Sequence, residues 1–193
     1  MADLRSFIFI DKLQPQTMCY LGTFVRGSLP RANMSAQIIE IAPGLDIEPL
    51  TDVALKHSHV RAGMLVVERQ FGYLEIHSHS ADAVRLAAAA VLDELGADSA
   101  DARSPEVTAS TIISNVDDEH AFLVNRNKSG SMLLPGDSLF VMEMQPASHA
   151  ILATNEAEKA SPIKVVDYRM IGASGRVYLA GNEDAVRAAA DAA

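Results

Sequence analysis

The chain repeats itself. Ala83-Val84-Arg85 recurs as Ala185-Val186-Arg187, each after an aspartate, Asp82 and Asp184. Ile38-Ile39-Glu40-Ile41 returns as Val141-Met142-Glu143-Met144, Val66-Val67-Glu68 as Val165-Val166-Asp167, and Leu29-Pro30 as Leu134-Pro135. The matches keep one order along the chain. Ordered self-similarity marks a duplicated unit, here of about 95 residues, so two small domains are expected rather than one large one. The small, polar stretch from Gly96 to Pro105 reads as the connection. The expected division is a first domain over 1–97, a linker over 98–106 and a second domain over 107–193.

Each copy carries the same string of local signals. A strand rich in β-branched and aromatic residues is expected at Ser6–Ile10 and at Thr108–Ser114. A helical stretch follows, about Pro15–Val25 and Asp117–Arg126, then a second strand at Ala36–Ala42 and Leu139–Met144. In the first copy Leu50, Val53, Ala54 and His57 share one face at helical spacing, behind a first-turn proline, Pro49. Two more strands are expected at Ala62–Glu68 and Tyr73–His77, and again at Ile163–Asp167 and Arg176–Leu179. The last helix of the first copy begins after Ser80, a good N-cap, and stops at Leu95 before a C-cap glycine, Gly96. Strand pairs alternating with helices predict an α/β fold, an α+β sandwich in which each copy is a small, mainly antiparallel sheet with helices packed on it.

Composition narrows the function. The formal charge is −9, and no dense Lys/Arg run exists, so a nucleic-acid partner is not expected. No apolar stretch approaches the roughly 18 residues of a membrane span, so no membrane partner is expected either. The single cysteine, Cys19, cannot form a disulfide within the chain, and its neighbours Met18 and Tyr20 offer no base to activate it. Gly172-Ala173-Ser174-Gly175 leads into a strand, not a helix, which argues against a phosphate cradle. Gly136-Asp137-Ser138 lacks the context of a nucleophile elbow. His77 and His79 share a strand face by spacing, beside Tyr73 and Glu75. Such a pair can begin a metal site but needs further ligands, and a polar sheet face or a subunit contact explains it as well. No catalytic residue, metal or cofactor is expected.

The second copy carries the most specific stretch, Ala157 to Ala189. Lys159-Ala160-Ser161, Tyr168, Ile171-Gly172, Ser174-Gly175, Gly181 and Ala185-Val186 follow one another at fixed spacing, with Ala173 added to the glycine loop. This run resembles the signature of the bacterial microcompartment (BMC) shell domain. In both copies a strand and a helix precede the signature region, which is similar to the circularly permuted, tandem-domain members of that family. The resemblance implies two tandem permuted BMC domains. It implies a structural shell component whose homotrimers mimic a hexamer and tile into a sheet, with a central pore for metabolites. The implied partners are further copies of the chain, as a homotrimer or a stacked dimer of trimers, other microcompartment shell proteins, and small metabolites at the pore. The implied place is the microcompartment shell in the bacterial cytoplasm, and no enzymatic activity is implied.

The resemblance also points at residues. It places Ile171, Gly172, Ala173, Ser174 and Gly175 at the pore in the second copy, and Glu68, Arg69, Gln70, Phe71 and Gly72 in the first. Gly172 and Gly175 leave the turn without side chains, so its backbone is expected to approach a symmetry axis closely. An ordinary hairpin turn that needs glycine for positive φ explains them equally. Glu68 and Arg69 match a Glu-Arg pair that gates the pore in tandem relatives; a solvated pair at a strand end is the plain alternative. Measured from Glu68 to Asp82 and from Asp167 to Asp184, the first loop is expected to be three residues shorter. Lys56 and Lys159 match the family's helix lysine at the assembly edge; by charge alone each is a cation near a helix C-terminus. Two other readings remain at this stage. One is a trimeric, small-molecule-binding regulatory protein of duplicated α/β domains. The other is an enzyme with its site at a subunit interface.

Overall fold

The computed structural model describes residues 2–193. Contacts divide the described residues into two units: 2–18 with 24–104, and 19–23 with 105–193. The short segment Cys19–Thr23 belongs in sequence to the first copy but by contact to the second unit.

In the first unit, β1 (Asp3–Ile10) is followed by α1 (Pro15–Phe24), β2 (Ser35–Ala42), α2 (Ile47–His57), β3 (Arg61–Glu68), β4 (Phe71–Ser78) and α3 (Ala81–Leu95). The four strands form one antiparallel sheet in the order β1-β2-β4-β3. Alternation decides which face the helices cover. Ile39 and Ile41 of β2 and Leu74 and Ile76 of β4 meet Ile47, Leu50 and Ala54 of α2 and Ala87, Val91 and Leu95 of α3. Burying each such aliphatic side chain contributes roughly 1.5–3 kcal/mol. The Ser80 hydroxyl accepts from the Ala83 N–H at 3.2 Å and caps α3, and Gly96 closes it in the left-handed conformation at φ 63°.

The second unit repeats the plan with β5 (Glu106–Ile113), α4 (Asp118–Asn125), β6 (Ser138–Gln145), α5 (His149–Ala160), β7 (Lys164–Arg169), β8 (Gly175–Gly181) and α6 (Glu183–Ala192). Its sheet order is β5-β6-β8-β7, again antiparallel. Asn182 caps α6 by accepting from the Ala185 N–H at 2.8 Å. The architecture is thus the expected α/β one, a four-stranded antiparallel sheet with helices in each copy.

Sheet register gives the true spacing of the duplication. Ile41 pairs with Gly72, and Met144 with Gly175. Leu65 pairs with Leu74, and Tyr168 with Val177. Each of these residues lies 103 positions from its counterpart. The bulges obey the same offset: Leu4/Ser6 with Val107/Ala109, and Ala62/Met64 with Val165/Asp167. The echo of Val66-Val67-Glu68 in Val165-Val166-Asp167 is therefore four residues out of register, and Leu29-Pro30 against Leu134-Pro135 is two out. Valine-rich runs suit any strand position equally, so sequence likeness alone does not fix their register. In the correct register Glu68, Arg69, Gln70, Phe71 and Gly72 stand opposite Ile171, Gly172, Ala173, Ser174 and Gly175. The two hairpin loops have equal length. The one-residue difference falls after β4, between Ser78 and the cap at Ser80, where the second copy steps from Gly181 directly to Asn182.

Candidate functional site

The equivalent hairpin loops, β3–β4 in the first unit and β7–β8 in the second, hold every residue expected at a pore. In the first loop the chain turns on Arg69, at φ 47°, and Gln70, both exposed. The Arg69 guanidinium lies 3.7 Å from the Glu68 carboxylate, too far for a hydrogen bond. With both side chains in water, such a pair contributes at most about 1 kcal/mol.

Phe71 and Gly72 are not at the tip. Both belong to β4, and Phe71 pairs with Glu68 across the hairpin. The Arg5 guanidinium sits 3.9 Å from the Phe71 ring centroid, and its Nε donates to Glu40 at 2.7 Å. Arg5 and Glu40 are buried, so a paired charge and a cation–π contact anchor the base of the loop. A Cβ on Gly72 would come within 2.3 Å of the Gly44 carbonyl oxygen, so only glycine fits.

The second loop is built from smaller residues. Gly172 takes φ 121°, a conformation that strains any residue with a side chain. Ala173 is exposed, and Ile171 and Ser174 are half-buried. Gly175 is buried at the start of β8, where a Cβ would meet the Ala147 carbonyl oxygen at 2.3 Å. Gly72 and Gly175 thus serve one intrachain purpose, the close approach of the segment after β2 or β6. Packing within the chain is by itself a sufficient reason for glycine at 175. Glu143 receives the Arg176 Nε at 2.8 Å, and bonds from Arg176 and Ser174 hold its carboxyl below the usual carboxylate range. Glu143 is the counterpart of Glu40. One carboxylate is buried with an arginine from β1; the other is exposed with an arginine from β8.

A cleft of about 780 Å³ in the second unit borders this loop, lined by Ile171 to Ser174, Arg169, Arg176 and Tyr178 among others. Its two guanidiniums are both engaged, since the Arg169 Nε donates to Asp167 at 3.0 Å. Asp167 also accepts the Tyr20 hydroxyl. Burial first, then the hydrogen bond and charge of Asp167, push the Tyr20 phenol well above its usual range.

The edge lysines are exposed on the last turns of α2 and α5, 103 positions apart. Lys56 pairs with Asp52 one turn earlier, and the Lys159 Nζ donates to Glu156 at 2.7 Å. His77 and His79 are not brought together. His77 is buried and His79 is exposed beyond the strand end. The His77 Nδ1 meets Glu75 at 2.9 Å, and the other Glu75 oxygen accepts from the Gly63 N–H at 3.1 Å. Among the described residues no group of three or more His, Cys, Asp or Glu is placed to hold a metal. Among them, too, no helix is long and apolar enough to cross a membrane.

Sequence reasoning missed Arg5, Glu40, Tyr20 and Asp167. For the first two a signal existed: a charge of each sign beside apolar strand residues, Arg5 after Leu4 and Glu40 between Ile39 and Ile41, which demands a partner if buried. Tyr20 and Asp167 lie far apart in sequence, and no local pattern joins them.

A family model described as the CsoS1D N-terminal domain matches residues 4–101. The carboxysome shell protein CsoS1D of Hydrogenovibrio crunogenus is 43% identical over 194 residues, covering 100% of this chain and 95% of that protein. The carboxysome shell protein CcmP of Synechococcus elongatus is 42% identical over 191 residues, covering 99% and 90%. Among solved structures, the fused permuted hexameric shell protein MSM0275 of the RMM microcompartment is 70% identical, with a TM-score of 0.96 over 98% of this chain and 94% of that one. The double-ringed trimeric shell protein MSM0271 of the same microcompartment is 44% identical, with a TM-score of 0.95 over 99% and 93%.

Proposed function

The chain belongs to the CsoS1D-like family of tandem, permuted microcompartment shell proteins, and from that membership we propose that three copies close into a pseudohexameric ring that tiles into a shell with a metabolite pore at its centre. The observation that carries the proposal is the likeness to the fused permuted hexameric shell protein, 70% identical over 98% of this chain. The structural role of this chain is that of a shell component, and its ring surrounds a pore in a shell inside the bacterial cytoplasm.

In that ring the two hairpin loops alternate around the axis. Glu68, Arg69 and Gln70 come from one loop and Ile171 to Ser174 from the other, each set three times, with Phe71, Gly72 and Gly175 at the loop bases. Equal loop length supports this, because six loops of one reach line a single opening evenly. The exposed Glu68–Arg69 pair is the gate. A contact this weak holds two states a small free energy apart, so an anion that competes for Arg69 shifts the balance. Lys56 and Lys159, at the same helix position in both copies, form the edge between rings. The chain performs no catalysis in this reading.

Electron microscopy of the purified protein tests the assembly. Rings that tile into sheets or tubes are expected at modest concentration. Discrete particles at every concentration would overturn the shell reading and favour a regulatory trimer.

A further inference from the structure

The duplication presents one contact surface twice, and only one of the two is satisfied within the chain. In the second unit Tyr20, on the segment Cys19–Thr23, packs on Tyr168 with ring centroids 4.1 Å apart and donates its hydroxyl to Asp167. Tyr20 is 2% exposed, and Tyr168 beneath it is 0% exposed, as is Met170 two residues on. The 103-residue offset maps Tyr20 onto Leu123, Tyr168 onto Leu65, Met170 onto Val67 and Asp167 onto Met64. Met64 is 1% exposed, but the rest of the mapped surface is open: Leu123 is 59% exposed, Leu65 40% and Val67 43%.

We propose that Leu123 of one copy docks over Leu65 and Val67 of the next copy, repeating between chains the contact that Tyr20 makes with Tyr168 inside the chain. The proposal rests on the ring described above and names the surface that closes it. Every copy offers one open knob, on the second repeat, and one open seat, on the first. Such a contact is head-to-tail, and a head-to-tail contact closes only when its rotation fits a ring. Three chains with one intrachain and one interchain contact each give six alternating junctions.

The chemistry of the two junctions is matched pair by pair. Where the knob carries a hydroxyl, the seat carries a carboxylate to receive it. Where the knob is leucine, no carboxylate is present: its position holds the buried Met64, and the open side chain beside it is Leu65. A slipped pairing of Leu123 against Asp167 would cover a charge with an apolar side chain, which disfavours the wrong register. Exposed leucines and valines in complementary places otherwise invite unspecific association, so a committed partner also explains why they are tolerated.

The test uses the full chain in a Cys19→Ser background with Leu65→Cys and Leu123→Cys together, treated with a short bis-maleimide. The expected product on a denaturing gel is a covalent three-chain band as the major species, and neither single variant forms it. Native mass spectrometry of the same samples separates the two levels of the argument. A three-chain mass with no cross-link leaves the ring standing and overturns this surface. A cross-link that leaves only single-chain bands joins the positions within one chain and also overturns it. A single-chain mass for the unmodified protein overturns the ring and the surface together. As a second readout, Leu123→Asp, which alters an exposed side chain, is expected to weaken assembly at least tenfold while the chain stays folded. Assembly unchanged by Leu123→Asp would contradict the docking.

Discussion

The Tyr20 hydroxyl donates to the Asp167 carboxylate across 147 positions of sequence. Asp167 is also held by the Arg169 Nε at 3.0 Å, so the carboxylate serves two donors in a nearly closed setting. Replacing Tyr20 with Phe keeps the ring contact with Tyr168 and removes one donor. The expected cost is about 1–2 kcal/mol, read as a lower midpoint in denaturant unfolding. Asp167→Asn is expected to move the Tyr20 phenol back toward its usual range, seen in a spectrophotometric titration. A phenol unmoved by that change would show that burial alone raises it.

Glu75 predicts a pH dependence. Its carboxyl lies above the ordinary carboxylate range because burial disfavours the charge, against the opposing bonds from His77 and the Gly63 N–H. A raised native value means that the folded state binds the proton more tightly. The stabilising contribution is therefore full below the ordinary carboxylate range and is lost as pH rises through the native value. Glu75→Gln imitates the protonated form, and its amide still meets both neighbours. The variant is expected to match or exceed the parent near neutral pH and to flatten the stability profile above the ordinary carboxylate range. A loss of more than about 1 kcal/mol at neutral pH would contradict this.

Gly72→Ala and Gly175→Ala should behave alike. Each new Cβ would stand 2.3 Å from a carbonyl oxygen, of Gly44 or of Ala147, and backbone has no room to retreat. About 1–3 kcal/mol of destabilisation is expected for each, measured by thermal or denaturant unfolding. If either substitution is neutral, close packing is not the reason for glycine at that position.

Much of this was legible in the sequence, and the limits have physical causes. Helix α3 was readable end to end because Ser80 and Gly96 carry unambiguous capping signals. The domain duplication was visible in Ala83-Val84-Arg85 and in Ile38 to Ile41, where charged and small residues punctuate the pattern. Its register was misread at β3 and β7, because Val-Val pairs look alike wherever they sit. Only the strand partners and the bulge after Ala62 fix the true offset. The loops were located but their bases were misjudged. Phe71 lies under Arg5, a residue from the far end of the sheet order, and that proximity exists only once the sheet has folded.

The edge lysines give a separate prediction. Lys56→Glu with Lys159→Glu is expected to abolish sheets and leave rings intact. The local ion pairs with Asp52 and Glu156 become like-charge pairs, which costs only a few tenths of a kcal/mol each. Sheets that persist under electron microscopy would remove these lysines from the edge.

The central claim is the closed ring of three chains, and native mass spectrometry of the unmodified protein tests it most directly. The account predicts a mass of three 20.7 kDa chains, or of six where two rings stack. A stable single chain, or a dimer, at the concentrations where the protein remains folded would contradict it.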